Sequence, residues 1–394
     1  MARKLKPPVQ LSQLQGFKYF ALLQPLLEGL RDHATQRDQA GNRQLFYDQY
    51  AALLLFYFFN PVLTSLRGLQ QASELDKVQQ RLGCGRVALG SLSEASRVFD
   101  AALLRPLLGE LAAQARPVVT GKEAQALAGL TAADGSLWRG LPRMAWALWM
   151  DAKHRGAKLH LHFDVLTGVP ADATVTPAAC SEPAQLRAML KSGRLYVIDR
   201  GYASYPLFGD ILQARSSFIG RLKEGAAFTV KEERVVTPAA AAAGVGRDVV
   251  VSKLGSDHHK DVLGQAVRLV WVATGKRRAD GTPEVLLLVT DRLELAAELV
   301  ALAYKYRWQI ELFFRWFKCI LGCRHLVAQS ANGLTLQLYL GLLASLLVSL
   351  WTGKKPTKRT FEMLCFYFSG LASLKELMAH IDKLQEHPKP RPDG

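Results

Sequence analysis

The sequence predicts an α/β protein in which a mixed sheet lies between two helical regions. Residues 10–117 carry apolar side chains at helical spacing. Near Thr131 the pattern changes to short strand-like runs bounded by Gly or Pro, and helical spacing returns after Lys318. A chain of 394 residues can bury a large core and is long enough for two or three domains.

The first region, residues 1–117, is predicted to be an all-helical domain. Residues 53–59 are apolar nearly all round, which indicates a helix buried within that domain. A small helical domain in a basic protein can read DNA, but the region has no firm helix-turn-helix signature. A helical packing or dimerisation module therefore remains an open alternative.

The middle of the chain carries the predicted sheet. Residues 118–216 are expected to form its first part, with strands at 130–134, 158–166, 173–176 and 194–199 and a helix at 182–191. Residues 217–291 are expected to form a β-rich insertion with strands at 217–222, 249–254, 266–274 and 284–290 and an Ala-rich loop at 238–243. Residues 292–330 would then complete the sheet domain.

The end of the chain is predicted to be helical over residues 331–385, followed by a disordered Pro-rich tail at 386–394. Its most apolar stretch, residues 334–351, approaches the length of a membrane span. Four polar side chains interrupt that stretch, which favours a buried helix over a membrane helix: Thr335, Gln337, Ser345 and Ser349. No membrane partner is expected.

The composition describes a folded, strongly basic protein. Lys and Arg number 50 against 34 Asp and Glu, which gives a net charge of +16, and the hydrophobic content of 49% excludes general disorder. Such a protein often binds nucleic acid, although a membrane surface or an acidic partner would also attract it. Five scattered cysteines and the lack of a secretory signal at the start indicate a reducing cytoplasm.

The most informative spacing lies near the end of the predicted sheet domain. Tyr304, Arg307, Glu311 and Lys318 occur in a stretch without Pro or Gly, and their spacing predicts one face of one helix, with Arg315 beside them. A carboxylate among cations and a phenol suits a site that handles phosphates and a divalent metal. Charges at this spacing are also common on solvated helix faces.

Two further carboxylates lie at predicted strand ends. Asp134 ends the first strand in Asp-Gly-Ser, Asp199 ends the fourth, and Glu311 follows on the helix. Carboxylates from three separate elements can meet at one point. There they could hold two Mg²⁺ ions about 3.5–4 Å apart and promote phosphoryl transfer.

These motifs resemble those of the DDE transposases of the insertion-sequence-4 family, which have a ribonuclease H-like catalytic core. The similarity rests on Asp-Gly-Ser at 134–136, Val-Ile-Asp-Arg-Gly-Tyr at 197–202 and the Tyr-Arg-Glu-Lys spacing, and it covers residues 131–325. The resemblance implies that Asp134, Asp199 and Glu311 are catalytic metal ligands for two Mg²⁺ ions, for which Mn²⁺ could substitute.

The resemblance also implies a set of DNA contacts. Tyr304, Arg307 and Lys318 would grip phosphates at the transposon end, and Arg200, Tyr202 and Arg315 complete the predicted DNA-binding set. Some family members pass through a hairpin stabilised by a displaced base stacked on Trp, for which Trp308 is the first candidate and Trp271 the second.

The activity that the resemblance implies is cleavage of donor DNA and joining of its 3′ ends to target DNA. The partners would be double-stranded terminal repeats and target DNA, bound by a homodimer on paired ends in the bacterial cytoplasm at the nucleoid. Two other functions use the same residues or fewer of them. A ribonuclease H-like nuclease would cut without strand transfer, and a retired transposase would bind DNA without catalysis.

Other candidate sites are weaker. Cys319, Cys323 and His325 have spacing that could supply three zinc ligands, but a fourth is not apparent. His160 and His162 share one face of a predicted strand, where packing or hydrogen bonding is expected. Two short basic clusters, at 153–155 and 276–278, could contact a DNA backbone, and the pair at 258–259 is expected to be a solvated turn.

Overall fold

The computed structural model describes residues 27–31, 44–82, 84–139, 144–147, 156–255, 263–319, 322, 326–353, 355 and 357–386. Several sequence predictions fall outside these residues. They are the basic cluster at 153–155, the histidine pair at 258–259, two of the three proposed zinc ligands, Cys323 and His325, and nearly all of the predicted tail, residues 387–394.

The N-terminal region is helical throughout its described elements. These are α1 (Tyr47–Phe59), α2 (Leu66–Ala72), α3 (Asp76–Leu82), α4 (Leu89–Val98), a 3₁₀ turn (Ala101–Leu103), α5 (Leu104–Ala112) and α6 (Lys122–Ala126). Every residue of α1 is buried, in agreement with the all-round apolar character of its sequence.

The middle of the chain alternates strands with short helices. Its elements are β1 (Leu130–Arg139), a 3₁₀ turn (Ala145–Ala147), β2 (Gly156–Asp164), β3 (Val169–Pro177), α7 (Glu182–Ala188), β4 (Leu195–Ile198), α8 (Tyr205–Gln213), β5 (Ser217–Arg221), β6 (Phe228–Glu233), α9 (Pro238–Ala242), β7 (Val245–Leu254), β8 (Val267–Arg277) and β9 (Pro283–Thr290).

The nine strands among the described residues belong to one sheet, in the order β3-β2-β1-β4-β5-β9-β8-β7-β6. The first three strands form an antiparallel meander, while β4 pairs in parallel with β1 and β5 pairs in parallel with β4. The order 3-2-1-4-5 with this mixture of directions is a ribonuclease H-like sheet. The predicted fold class, an α/β protein with helices at both ends, is therefore confirmed.

The strands within residues 217–291 extend the same sheet. β5 belongs to the core order, and β9 returns to pair with it in antiparallel fashion, with Ile219 opposite Thr290. β8, β7 and β6 then continue outward. The insertion is thus joined to the core edge by backbone hydrogen bonds, and where one domain ends and the next begins stays a prediction.

The loop predicted at 238–243 was wrong, because residues 238–242 form helix α9. The Thr237 side chain accepts a hydrogen bond from the Ala240 amide, and Pro238 occupies the first turn. A Thr cap, a Pro at the helix start and a run of Ala, the best helix former, favour a short helix.

The chain ends in α10 (Ala297–Tyr306), α11 (Trp308–Cys319), α12 (Ala331–Thr352), α13 (Lys358–Ser369) and α14 (Leu374–Glu386). The single helix predicted to carry the Tyr-Arg-Glu-Lys motif is therefore two helices that meet at Arg307. At this junction the Arg307 amide donates to the Tyr304 carbonyl and the Ile310 amide donates to the Arg307 carbonyl, each only three residues back. This tighter turn interrupts the α-helical pattern without any Pro or Gly.

Helix α12 has the length and apolar character of a membrane span, but 89% of its most apolar window is buried inside the protein. The Tyr339 hydroxyl donates to the Ala173 carbonyl of β3. The Asn332 amide donates to the carbonyls of Ser96 and Phe99 near the end of α4. The N-terminal helices, α12 and one face of the sheet therefore share a core, as expected for a buried helix.

Candidate active site

Two of the predicted catalytic carboxylates are brought together by the register of neighbouring strands. In the parallel pair β1 and β4, Leu130 lies opposite Leu195 and Ala132 lies opposite Val197. Continuing that register places Asp134 beside Asp199, directly after the end of β4.

Asp134 was predicted to end its strand, but it lies in the middle of β1. The strand continues to Arg139 because β2 supports it on the other side, where Arg139 pairs with Gly156. Its neighbour β4 ends at Ile198. The Asp134 side chain therefore lies beside the point where β4 ends. Because β4 stops there while β1 continues, the sheet leaves an opening at Asp134.

Asp199 is held by two hydrogen bonds to one oxygen. Its Oδ1 accepts from the Arg200 amide at 2.7 Å and from the Tyr304 hydroxyl at 3.0 Å. Burial acts to raise the pKa of Asp199, but the Arg200 amide, the Arg307 charge and the Tyr304 hydroxyl outweigh it and lower the pKa below its ordinary value. Asp199 is therefore a carboxylate at neutral pH.

Asp134 has the opposite shift. Burial, aided by the nearby carboxylates Glu182 and Glu311, raises its pKa from 3.8 to about 6. The Gly135 amide, which donates to Oδ1 at 2.8 Å, and the Arg307 charge oppose this rise without cancelling it. Asp134 is thus a partly buried carboxyl group close to other acids and short of positive charge.

Arg307 is the cation shared by the carboxylates. Its Nη2 donates to Glu311 Oε1 at 2.7 Å. Burial acts to lower the pKa of Arg307, but Tyr304, Asp199 and Glu311 together raise it. The Arg307 position at the junction of α10 and α11 lets one guanidinium bond to the carboxylate of α11 and act on both aspartates.

Lys318 attaches the Glu311 helix to the strand of Asp134. Its Nζ donates to the Leu137 carbonyl at 2.6 Å and lies 4.4 Å from the centroid of the Trp138 ring. That ring packs edge-on against Phe314 and Phe317 of α11. Lys318 therefore contacts β1 through its ammonium group, and burial lowers its pKa.

The other predicted DNA-binding residues divide by exposure. Arg200 and Arg315 are exposed, and Trp308 is 49% exposed. Tyr202 and Tyr304 are only 3% and 8% exposed, so neither ring presents a surface to a duplex. The alternative stacking residue, Trp271, is partly buried in β8, where it packs edge-on against Phe228 and under the Arg247 guanidinium.

Glu182 is a site residue that the sequence reasoning missed. It is the first residue of α7, and its Oε1 bonds to Lys158 Nζ at 3.0 Å. A Cβ at Gly135, the residue after Asp134, would lie 2.9 Å from the same Oε1. The only signal in the sequence was the helix start Ser181-Glu182-Pro183, which says nothing about its distance from Asp134.

The donor set suits a hard divalent cation, because Asp134, Asp199 and Glu311 provide carboxylate oxygens at a place with excess negative charge. In the part of the chain that the structure describes, however, no three Asp, Glu, His or Cys side chains are close enough to hold one ion. The shared cation in this arrangement is Arg307.

The weaker metal candidates are placed as follows. Cys319 is a free, exposed cysteine at the end of α11. His160 Nε2 bonds to Thr176 Oγ1 at 2.9 Å, and His162 packs edge-on against Tyr196. Burial lowers the pKa of both histidines to about 4, so both are neutral residues of the sheet interior, in agreement with the prediction of packing and hydrogen bonding.

Comparison with known proteins gives the context of this site. The Putative transposase y4zB of Sinorhizobium fredii is 30% identical over 195 residues, which cover 49% of this chain and 53% of that protein. The Probable transposase for insertion sequence element IS5377 of Geobacillus stearothermophilus is 22% identical over 237 residues, 59% of this chain and 60% of its own length. The alignments thus span between half and two thirds of these relatives.

A cryo-EM structure of piggyBac transposase in a synaptic complex with hairpin DNA aligns with 98% of this chain and 89% of its own, at a TM-score of 0.44 and 11% identity. The family described as Transposase DDE domain matches residues 126–347, which include all three predicted catalytic carboxylates and more than half of the chain. The chain therefore belongs to the transposase DDE domain family.

Proposed function

We propose that this protein is a DNA transposase that binds transposon ends, cleaves donor DNA and joins the 3′ ends to target DNA. The observation that carries the proposal is the arrangement of three carboxylates around one arginine. Strand register sets Asp134 beside Asp199, and Arg307 bonds to Glu311 while its charge acts on both aspartates. The resemblance to insertion-sequence-4 transposases is part of the same proposal.

Each residue has a defined task in this scheme. Asp134, Asp199 and Glu311 would hold Mg²⁺ or Mn²⁺, which when bound activates a water or a DNA 3′-hydroxyl and stabilises the leaving oxygen. Tyr304 fixes the orientation of Asp199 through its hydroxyl. Arg307 bonds to Glu311, and breaking that ion pair would free a carboxylate oxygen of Glu311 to hold the metal.

The DNA-contacting set is narrower than the sequence suggested. Arg200, Arg315 and Trp308 are exposed and can meet DNA directly. Arg307 is positioned to neutralise a phosphate next to the carboxylates. The remaining three, Tyr202, Tyr304 and Lys318, are buried or bonded within the protein, and we assign them a positioning role.

The wider assembly belongs to the proposal as well. A net charge of +16 favours association with DNA and makes the affinity fall steeply with salt. The N-terminal helices would recognise the transposon end, and a homodimer would process paired ends. Deletion of residues 1–117 would not test end recognition cleanly, because those helices share a core with α12.

The test is a cleavage and strand-transfer assay on a labelled duplex that carries the native element end, with Mg²⁺ and then with Mn²⁺. The variants are Asp134→Asn, Asp199→Asn and Glu311→Gln, and Glu294→Gln removes an exposed carboxylate outside the site as the matched control. The first three should lose at least about 100-fold in rate, since each removes a ligand needed for metal-assisted transfer. The control should retain the parent rate.

The two alternative functions give different products. Cleavage without joined product would identify a nuclease, and specific binding without cleavage would identify a non-catalytic DNA-binding protein. Full activity in any of the three ligand variants would exclude the assigned site. For Trp308→Ala, loss of a hairpin intermediate with normal first-strand nicking would support base stacking by that residue.

A further inference from the structure

A pocket outside the candidate active site lies between the start of α13 and the middle of α14. It is an open depression of about 480 Å³, lined by Thr357, Lys358, Arg359, His380 and Lys383. Every ionisable side chain in this lining is basic. Such a concentration of positive charge suits a phosphate group, which is the anion that every nucleotide carries.

The charges of the pocket are only partly neutralised. Lys358 lies 3.5 Å from Glu362 on its own helix, and both side chains are largely exposed. Arg359 and Lys383 form no ion pair with any of the described residues. Both act on the ring of His380, whose pKa is lowered by burial and then by Lys383 and Arg359. The two cations therefore share His380 as a neighbour in the pocket lining.

One polar atom of the pocket lining also lacks a partner. The buried Nε2 of His380 has no hydrogen-bond partner among the described residues. Helix α13 has 12 residues and begins at the pocket, with Thr357 as its cap, so its amino-terminal end adds positive potential. The pocket, its two cations without ion pairs and the unpaired imidazole nitrogen together suit an anion.

The pocket is close to the helix that carries Glu311. Lys355, two residues before Thr357, donates from Nζ to Gln309 Oε1 on α11. Its side chain also crosses Gly168, where a Cβ would lie 3.0 Å from Lys355 Cγ. Two residues of extended chain span at most about 7 Å, so the pocket begins a short distance from this contact. A duplex advances 3.4 Å per base pair, and a few base pairs cover that distance.

We propose that this cationic pocket binds backbone phosphates of the DNA duplex that occupies the candidate active site. The inference rests on the proposed function for the identity of the duplex. The contact is independent of sequence, because it reads phosphate and not base edges. It would hold the duplex at a second point and so fix its direction across the carboxylates.

The experiment measures DNA affinity at several salt concentrations, in EDTA so that no cleavage occurs. The test variant is Arg359→Gln with Lys383→Gln in one chain. Lys375→Gln, an exposed lysine of α14 outside the pocket lining, is the matched control on the same helix. If each cation neutralises one phosphate, the slope of log affinity against log salt should become shallower by about 0.9 for each, or about 1.8 in the double variant. The control slope should stay within error of the parent.

A second variant keeps the test valid if the first is unstable. Arg359→Lys with Lys383→Arg retains both charges and should retain the parent slope. An unchanged slope in a folded Gln variant would overturn the inference, even if inorganic phosphate alone raised the melting temperature. A slope lost equally in the Lys375→Gln control would also overturn it, because the effect would then be one of net charge. If the parent cleaved DNA but the salt slope of the Gln variant were unchanged, the pocket would be rejected and the proposed function would stand.

Discussion

Asp134 and Asp199 lie side by side, yet their amide variants should change stability in opposite directions. The pKa of Asp134 is raised from 3.8 to about 6, chiefly by burial. At a pH between these two values, the folded protein therefore holds a proton that the unfolded chain has lost. Above about pH 6, the folded protein must carry a buried charge, which lowers the free energy of unfolding.

The size of the effect follows from the pKa change. At about 1.36 kcal/mol per pKa unit, the rise from 3.8 to about 6 corresponds to about 3 kcal/mol of lost stability at pH 8. Asp134→Asn removes that charge and keeps an oxygen that can accept from the Gly135 amide. We expect the variant to be more stable than the parent by up to about 3 kcal/mol at pH 8, with the gain disappearing below about pH 4.

Asp199→Asn is the matched control with the opposite sign. The folded pKa of Asp199 lies below its ordinary value, so its charge contributes stability that is present above the unfolded pKa and is lost as pH falls through the folded pKa. The variant should therefore be less stable than the parent at neutral pH and approach it in acid.

The assay is urea unfolding in EDTA at a series of pH values from about 3.5 to 8, followed by tryptophan fluorescence. EDTA matters because a bound divalent ion would stabilise the folded protein through the same carboxylates. A gain in stability of Asp134→Asn that did not change with pH would show that the effect comes from packing. A loss of stability at pH 8 would refute the conclusion that Asp134 is a buried charge short of compensation.

Two further predictions concern the strands that extend the sheet. Asp248→Ala should lower the free energy of unfolding in urea by about 3–5 kcal/mol. The reason is that Arg268, whose Nε bonds to Asp248 Oδ1 at 2.7 Å, would remain buried without its carboxylate partner. Adding Arg268→Met should recover much of the loss, and a loss below about 1 kcal/mol would show that solvent reaches the pair. Gly244→Ala should cost about 2 kcal/mol, since Gly244 has φ of +87° and a Cβ would lie 2.7 Å from the Ala273 carbonyl oxygen. Gly246→Ala, with open space at the Cβ position, should change stability by less than about 0.5 kcal/mol, and equal effects of the two Ala variants would contradict the steric argument.

Much of the fold was readable because local patterns report local structure. The all-round apolar character of residues 53–59 predicted a buried helix, and short strand-like runs bounded by Gly or Pro located most strands within about five residues. Strand β6 was not predicted. Five of its six residues are exposed, so its sequence lacks the alternation of buried and exposed side chains that indicates a strand.

Local sequence could not show where the Tyr-Arg-Glu-Lys motif bends. Residues 304–318 are free of Pro and Gly and have helical spacing, so one helix was the natural prediction. The structure has a tight turn at Arg307 between Tyr304, which bonds to Asp199, and α11, whose aromatic residues pack on the sheet. Contacts with distant elements override helix propensity at such a junction.

By itself, the sequence determined the types of residue available to the site: the two aspartates after strand-like runs, and the glutamate among cations on a helical stretch. Tertiary structure decided how they meet. The register of β1 with β4 sets Asp134 beside Asp199. The turn at Arg307 lets one guanidinium bond to Glu311 and act through its charge on both aspartates. Helix α7 brings Glu182 close to Gly135. These relations depend on pairing between segments far apart in the chain, and side-chain spacing within one segment carries no information about such distances.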